Sequence, residues 1–188
     1  MYLIEACSTG KCIVQREVNM SKKEAPIIRT ARLKLRRKHE KDIPFMLDLF
    51  NSDEVRQYLG GYPPRDEAAM RYMIRRRTST DWVVALSDTD EYIGECMLLK
   101  IVDNYLAEVG YFFRRSYWGQ GYAEEAVSAV ISYCADTLHL SRLCATIDDR
   151  NDRSKKFIEK LGFSWVALLP EADFGGRVAD IAYYSRVL

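Results

Sequence analysis

The spacing of hydrophobic residues changes along the chain, and each change predicts a different kind of element. Alternation with a period of two predicts strands, whereas apolar residues three and four positions apart predict amphipathic helices. The predicted strands are 32–37, 82–86, 92–101, 106–113, 143–147, 163–169 and 178–187. The predicted helices are one that Asp42 caps and three more at about 66–77, 124–138 and 152–161. Short turns join the three consecutive strands in the middle, which favours antiparallel neighbours.

This order of elements predicts a single domain of the α/β (α+β) class. Its sheet should be mixed but mostly antiparallel, with six to seven strands flanked by helices. The length of 188 residues suits one domain, which we place at residues 27–188. Residues 1–26 are expected to form an N-terminal extension with freedom to move. Two interpretations of residues 1–19 stay open, namely an appended segment or a short arm that packs on the domain.

Composition and charge narrow the classes of function. The 28 basic and 27 acidic residues leave a formal charge of +1, which argues against nucleic-acid binding by bulk charge. No apolar run approaches the roughly 20 residues that span a bilayer, so no membrane partner is predicted. The five cysteines include no CxxC pair, which favours reduced thiols in a cytoplasmic protein. His39 and His139 lie outside any zinc-ligand spacing, so no metal site is predicted.

The segment Trp118–Ala123 is the strongest local sign of a ligand. Gly119 and Gly121 fall between a predicted strand and a predicted helix. Glycine lets the backbone approach a ligand closely, and the first helical turn offers unpaired N–H groups that suit a phosphate. A dinucleotide loop is disfavoured because Glu124 replaces the third glycine and the preceding strands look antiparallel. A P-loop is disfavoured because no Gly-Lys-Ser/Thr follows.

Further motifs accompany this loop at characteristic distances. They are Thr30–Arg36, Glu108-Val109-Gly110-Tyr111, Tyr117–Ala126, Asn151-x-x-Ser154 and Glu159-Lys160-Leu161-Gly162-Phe163. Together they resemble the GNAT superfamily of N-acetyltransferases, and within it the ribosomal-protein N-terminal (Rim-type) branch. The likeness covers roughly residues 27–188. It implies acetyl-CoA as co-substrate, no metal, and transfer of the acetyl group to a primary amine within a ternary complex.

The resemblance also implies a cofactor site. Two parallel central strands, 106–113 and 143–147, would splay around the pantetheine arm, and the glycine loop would hold the pyrophosphate. The residues that it assigns to the cofactor are Phe112, Phe113, Arg114, Gly119, Gln120, Gly121, Tyr122, Ala123, Asn151 and Ser154. Family members often carry Gln or Arg where this chain has Ser116. Arg114 and Arg115 are near enough to supply that charge, or they are solvated.

Glu108 is the candidate base. A neutral amine must attack the thioester, so a group must accept its proton. By strand alternation Glu108 shares a face with Gly110 and Phe112, and it matches the family's catalytic glutamate. Two alternatives stay open: a water that relays the proton, and a structural role in which an arginine or the backbone satisfies the carboxylate.

Ser154 and Asn151 are the candidates for assisting the departing thiol. Many family members use a tyrosine in this helix, but the matching residue here is Ile158, which cannot donate a proton. Helix capping explains both Asn151 and Ser154 equally well, and the two roles are compatible. Cys96 and Cys144 as acyl carriers are disfavoured, because no histidine lies near them in sequence.

The acceptor stays undecided between a protein N-terminus and a small molecule. We expect the segments 53–65, 103–104 and 174–177 to bind the acceptor, because binding residues often lie on variable surface loops. Two other functions stay open: a catalytically inactive CoA-binding sensor or scaffold, and a nucleotide-phosphate site. The sequence also leaves a homodimer open.

Overall fold

A single mixed sheet with helices on both faces is the frame of the protein. The computed structural model describes residues 25–60, 62–75, 80–102, 105–174 and 176–188. Its strands are β1 Ile28–Arg29, β2 Leu33–Arg36, β3 Asp81–Leu86, β4 Tyr92–Val102, β5 Leu106–Phe113, β6 Arg142–Asp148, β7 Ser164–Phe174 and β8 Arg177–Val187. Its helices are α1 Ile43–Asn51, α2 Asp53–Arg56, α3 Glu67–Arg75, α4 Tyr122–Asp136 and α5 Asp152–Lys160. Short 3-10 turns precede α1 and follow β5.

The strand order is β1-β2-β3-β4-β5-β6-β8-β7, and only the β5–β6 pair is parallel among the described strands. This pair spans three positions, of which Glu108↔Cys144 is the last, and the two strands then part. The predicted mixed sheet with two splayed central strands is confirmed. The sheet has eight strands rather than six to seven, because the two-residue β1 is too short to show periodicity.

Each face of the sheet carries its own apolar core. On one face, α4 and α5 pack on β2–β6 and β8. The predicted stripe of α4 forms this contact through Ala126, Val127, Val130, Ile131 and Cys134, which are all buried. On the other face, α1 and α3 cover β3 and the start of β4. The second core ends at Phe112, so the part of this face that lies over β6 and β8 lacks the helical cover of α1 and α3.

The N-terminal boundary and α3 differ in detail from expectation. Ala25 is buried, and Pro26 accepts a hydrogen bond from the Trp82 indole at 2.8 Å, so packing begins before residue 27. The rest of the predicted extension lies outside the described residues. In α3 the fully buried residue is Met70, whereas Tyr72 is 60% exposed.

Asp42 precedes α1 as predicted, but its side chain does not cap that helix. It is buried and accepts two hydrogen bonds from the Arg36 guanidinium, at 2.8 and 2.9 Å. Arg36 also donates from Nε to Asp90 at 2.8 Å, and Lys41 donates to the other Asp90 oxygen at 2.5 Å. A buried arginine costs free energy unless its charge is paired, so Asp42 fixes β2 to the start of α1 and Asp90 fixes it to the β3–β4 turn. Burial opposes the charge of Asp90, but the hydrogen bonds from Lys41 and Arg36 prevail and lower its pKa to about 2.

We predict that Asp90→Asn lowers the free energy of unfolding by about 1–2 kcal/mol at pH 7, a value reduced for partial exposure. Asparagine keeps the size of the side chain and tolerates the left-handed φ of 58° at this position. The folded pKa lies below the unfolded one, so this stability is present above about pH 4 and is lost as the pH falls towards 2. Urea unfolding of both proteins at stepped pH measures the difference.

The control is Asp88→Asn in the same turn, which should change the unfolding free energy by less than about 0.5 kcal/mol. A difference between wild type and Asp90→Asn that persists unchanged at pH 2 would contradict the assignment.

Candidate active site

The parting of β5 and β6 leaves backbone groups of β5 turned towards the gap. Arg114 donates its N–H to Ile93 of β4 at 3.0 Å. Because backbone groups along an antiparallel strand point alternately to its two neighbours, Tyr111 and Phe113 turn theirs towards β6. No β6 residue beyond Cys144 is in register with β5 within the described strands. The edge of β5 can therefore bind an extended ligand through its backbone.

This alternation corrects the predicted backbone contacts by one residue. The backbones of Phe112 and Arg114 turn to β4, and only Phe113 of the three predicted residues faces the gap. The Phe113 carbonyl accepts a hydrogen bond from the Trp118 indole N–H at 2.8 Å. Beside Phe113, it is the backbone of Tyr111 rather than that of Phe112 that faces the gap. Sequence alternation gives the two faces of a strand, but the hydrogen-bonding register depends on which strands pair.

The glycine loop leads from β5 into α4 in the way the sequence predicted. Gly119 and Gly121 have φ of 75° and 80°, in the left-handed region that favours glycine. The side-chain amide of Gln120 donates a hydrogen bond to the Ser116 backbone carbonyl at 2.8 Å and so closes the turn. The first helical bond runs from Glu125 N–H to the Gly121 carbonyl, at 3.0 Å. The N–H groups at 122–124, including those of Tyr122 and Ala123, precede that bond and can bind an anion.

The two arginines expected to supplement this loop point elsewhere. Arg115 binds Glu54 at 2.5 Å, and the Arg114 guanidinium lies 5.2 Å from the centre of the Phe45 ring. Both side chains therefore face α1 and α2. The prediction that they supply charge for the phosphates loses its support.

The arginine that does contact the glycine loop is Arg32, which lies between β1 and β2. It donates to the Gln120 carbonyl at 3.0 Å and lies 4.4 Å from the centre of the Tyr122 ring. Its Nε binds Glu125 at 2.6 Å, which fixes the guanidinium against the start of α4. Sequence reasoning missed this residue as a site residue, although it lies in the Thr30–Arg36 motif. A contact across roughly ninety positions leaves no local signal.

Tyr111 and Ser154 form a hydroxyl pair on the α4–α5 face of the gap. Tyr111 Oη and Ser154 Oγ lie 2.7 Å apart. The Tyr111 ring packs edge-on against Phe157 at 4.9 Å, and burial raises the pKa of Tyr111 well above its usual value. Tyr111 therefore keeps its proton at neutral pH and can donate it. The sequence predicted Ser154 here but gave no sign of Tyr111 as its partner.

Asn151 caps α5, and helix capping is one of the two roles that the sequence left open for it. Its side-chain oxygen accepts the backbone N–H of Ser154 at 3.1 Å. The Ser154 hydroxyl stays available to Tyr111, so capping does not compete with a role in the site. Ile158 lies one turn further on and is fully buried in the core.

Glu108 lies on the opposite face, as strand alternation predicted. It is 7% exposed and accepts a hydrogen bond from the Thr146 hydroxyl. Lys100 Nζ lies 3.0 Å from its other oxygen. The carboxylate is thus satisfied by a lysine and a threonine rather than by an arginine or the backbone. A carboxylate on one face and two hydroxyls on the other flank the gap between β5 and β6.

Cys144 pairs in register with Glu108, yet its chemistry argues against a nucleophile. Burial, helped by the negative charge of Glu108, raises the pKa of the Cys144 thiol to about 11. Burial also raises the pKa of Cys96, and it raises that of Cys134 to about 12. The reactive form of cysteine is the thiolate, which is scarce at neutral pH in all three.

We predict that iodoacetamide at pH 8 leaves Cys96, Cys134 and Cys144 unmodified in the native protein, because buried thiols of raised pKa react slowly. All three should be alkylated once urea unfolds the chain. Peptide mapping by mass spectrometry measures both states. Alkylation of native Cys144 at the rate of the unfolded chain, or an acetyl adduct on Cys144 after mixing with acetyl-CoA, would contradict this account.

No group of three or more His, Cys, Asp or Glu side chains among the described residues could hold a metal ion. None of the helices described is long and apolar enough to cross a membrane.

Comparison with known proteins shows the family of the chain. A family model for the acetyltransferase (GNAT) domain matches residues 32–164. The chain is 31% identical over 165 residues to the uncharacterized N-acetyltransferase p20 of Bacillus licheniformis, covering 83% of this chain and 93% of that protein.

Two solved structures share the fold. A GNAT-family acetyltransferase from Bacillus anthracis has a TM-score of 0.79 at 23% identity, over 86% of this chain and 98% of that one. RimL, a ribosomal L7/L12 α-N-protein acetyltransferase in complex with coenzyme A, has a TM-score of 0.74 at 19% identity, over 87% and 98%. The predicted Rim-type resemblance is confirmed, and the chain belongs to the GNAT family of acetyltransferases.

Proposed function

We propose that this protein is an acetyl-CoA-dependent N-acetyltransferase that moves the acetyl group to a primary amine by direct attack in a ternary complex. The observation that carries this proposal is the gap between β5 and β6, with Glu108 on one face and the Tyr111–Ser154 pair on the other. A base for the attacking amine and a proton donor for the leaving group are thereby placed on opposite sides of one opening.

The residues around the gap suit coenzyme A along its length. The backbone of Tyr111 and Phe113 offers an open strand edge, which suits the two amides of a pantetheine arm. The loop at 119–123, the start of α4 and Arg32 suit the negative pyrophosphate. When bound, acetyl-CoA supplies the activated thioester. The protein supplies position, a base and an acid.

Glu108 accepts the proton of the amine. Thr146 of β6 donates a hydrogen bond to one carboxylate oxygen, which fixes the orientation of the side chain. The other oxygen is paired with Lys100 of β4, so an amine that approaches it must take the place of the Lys100 ammonium. The attack then requires no cysteine, which agrees with the protonated state of the buried Cys144 thiol.

The Tyr111–Ser154 pair protonates the departing thiolate. Ser154 has its backbone fixed by Asn151 and its hydroxyl by Tyr111, so it is ordered before the substrate arrives. Tyr111 is protonated at neutral pH, and its hydroxyl can supply the proton through the hydrogen bond that it shares with Ser154. This pair fulfils the role that other family members give to a tyrosine at the position of Ile158.

The acceptor that we favour is a protein N-terminus, with a small-molecule amine as the alternative. Two of the segments expected to read the acceptor meet at one carbonyl, that of Gln57. It accepts hydrogen bonds from Arg150 at 3.1 Å and from Arg177 at 3.4 Å. The third segment, 103–104, lies outside the described residues. The name of RimL, which gives a ribosomal protein as its substrate, supports the choice of a protein.

We place the reaction in the cytoplasm, because Cys96, Cys134 and Cys144 are free thiols, which persist in a reducing compartment. The competing function is a sensor or scaffold that binds coenzyme A without turnover. Measuring thiol release from acetyl-CoA with peptides and small primary amines separates the two functions. Binding of coenzyme A without thiol release for any acceptor would favour the sensor.

We predict that Glu108→Gln lowers kcat by about 10²- to 10⁴-fold, because an amide cannot accept the proton. Glutamine keeps the size of the side chain and can still accept the hydrogen bond from Thr146. Coenzyme A should stabilise the variant and the wild type equally, by about 2.7 kcal/mol at one hundred times Kd.

The matched control is Glu40→Gln, which neutralises a glutamate that is 72% exposed and paired with Arg71. Its kcat should equal that of the wild type. Wild-type turnover by Glu108→Gln would show that another group, or water alone, accepts the proton.

We predict that Tyr111→Phe and Ser154→Ala each lower kcat at least about tenfold, and that the double variant is no slower than the worse single one. The two hydroxyls act as one donor, so the loss of either removes the function of the pair. Steady-state kinetics of the three variants measures the coupling between the Tyr111 and Ser154 hydroxyls.

Tyr184→Phe is the control for loss of a partly buried tyrosine hydroxyl, since Tyr184 donates to Glu159 at 3.0 Å, away from the gap. It should cost about 1 kcal/mol of stability and leave transfer unchanged. Additive losses of kcat at Tyr111 and Ser154 would mean that the two hydroxyls act separately.

A further inference from the structure

Lys100 occupies an irregular point of β4. The register between β4 and β5 shifts between Leu99 and Val102, and Lys100 itself has a φ of 46°. A left-handed backbone is uncommon for a long side chain, and bulges beside active sites often redirect a side chain. The redirected Lys100 amine lies 3.0 Å from Glu108 Oε2.

The contact between the Lys100 amine and Glu108 resembles the contact that an acceptor amine would make with the base. The Glu108 side chain is 9% exposed and that of Lys100 is 56% exposed, so the lysine reaches from solvent to a buried carboxylate. A substrate amine has to make the same approach to the same oxygen. Glu108 is also the last β5 residue paired with β6, so the amine lies where the gap opens.

We propose that Lys100 is an acetylation site of the enzyme itself, used when acetyl-CoA is bound and no external amine is present. This inference rests on the proposed function. Glu108 takes a proton from the Lys100 ammonium, and the free amine attacks the thioester carbonyl carbon. A C–N bond forms, the C–S bond breaks, and the thiolate takes a proton from the Tyr111–Ser154 pair, which the second proton lost by the nitrogen restores. The products are acetyl-lysine, free coenzyme A and one proton.

Acetylation of Lys100 differs in two ways from random acetylation of surface lysines. Acetyl-lysine carries no charge and cannot pair with Glu108, so the modification leaves this carboxylate without its lysine partner. An external amine competes with Lys100 for the same oxygen, so a good acceptor should slow the modification of Lys100.

Lys160 provides an internal control for chemical acetylation. It is 64% exposed and pairs with a glutamate, Glu124, at 2.5 Å, as Lys100 does, but Glu124 is 42% exposed and Glu108 only 9%. Its ion pair joins α5 to the first turn of α4, on the other face of the sheet from Glu108. A lysine that reacts merely because it is exposed and near a carboxylate should behave like Lys160.

The experiment follows both lysines by mass spectrometry after the protein is mixed with deuterated acetyl-CoA. We expect Lys100 to be acetylated at least about tenfold faster than Lys160, and to fall to the rate of Lys160 in Glu108→Gln. In Lys100→Arg the cation and its ion pair remain, but a guanidinium is not acetylated, so the label at this position should disappear.

The same samples are assayed for thiol release with peptides and small primary amines. Transfer to an external amine, with Lys100 labelled no faster than Lys160, would overturn this inference alone. Labelling of Lys100 that is unaffected by Glu108→Gln would overturn it too. If coenzyme A binds but neither thiol release nor fast labelling of Lys100 is seen, the proposed function fails as well.

Discussion

The site depends on one constraint, which is that β5 and β6 pair over only three positions. Each strand has a stronger attachment elsewhere. β6 pairs with β8 along its full length, and β5 follows β4, which approaches so closely that a Cβ on Gly94 would lie 2.4 Å from the Phe112 carbonyl oxygen. The two parts of the sheet therefore twist apart beyond Glu108. Backbone hydrogen-bonding groups then line an opening in the middle of a sheet, where another strand would normally satisfy them.

The gap also explains why the two proton transfers of the proposed reaction fall on opposite faces of the sheet. Side chains alternate along a strand, so neighbouring β5 residues reach opposite faces. Glu108 faces the side that α1 and α3 leave uncovered, and Tyr111 faces α5, whose first turn carries Ser154. A proton can be taken from the amine on one face and returned to the thiolate on the other. In the proposed reaction the two groups need no direct contact, because one acts on the amine and the other on the leaving thiolate.

Local patterns predicted the elements and the glycine loop, since periodicity and glycine placement are properties of neighbouring residues. The apolar stripe of α4 and the face of β5 on which Glu108 lies are examples, whereas Ser154 was implied by the family resemblance. Contacts set by register or distant pairing left no such trace, as with Tyr111 against Ser154, Arg32 over the loop and Lys100 against Glu108. The errors have the same origin. Asp42 pairs with Arg36 instead of capping α1, and Arg114 and Arg115 turn towards α1 and α2.

The central claim is that the open edge of β5 binds coenzyme A, and backbone amide exchange measured by NMR tests it most directly. Tyr111 and Phe113 turn their N–H groups into the gap, whereas Phe112 between them bonds to β4 and serves as an internal control. Saturation with coenzyme A should slow exchange at one or both of Tyr111 and Phe113 and leave Phe112 unchanged. Bound coenzyme A with unaltered exchange at both Tyr111 and Phe113 would contradict the account.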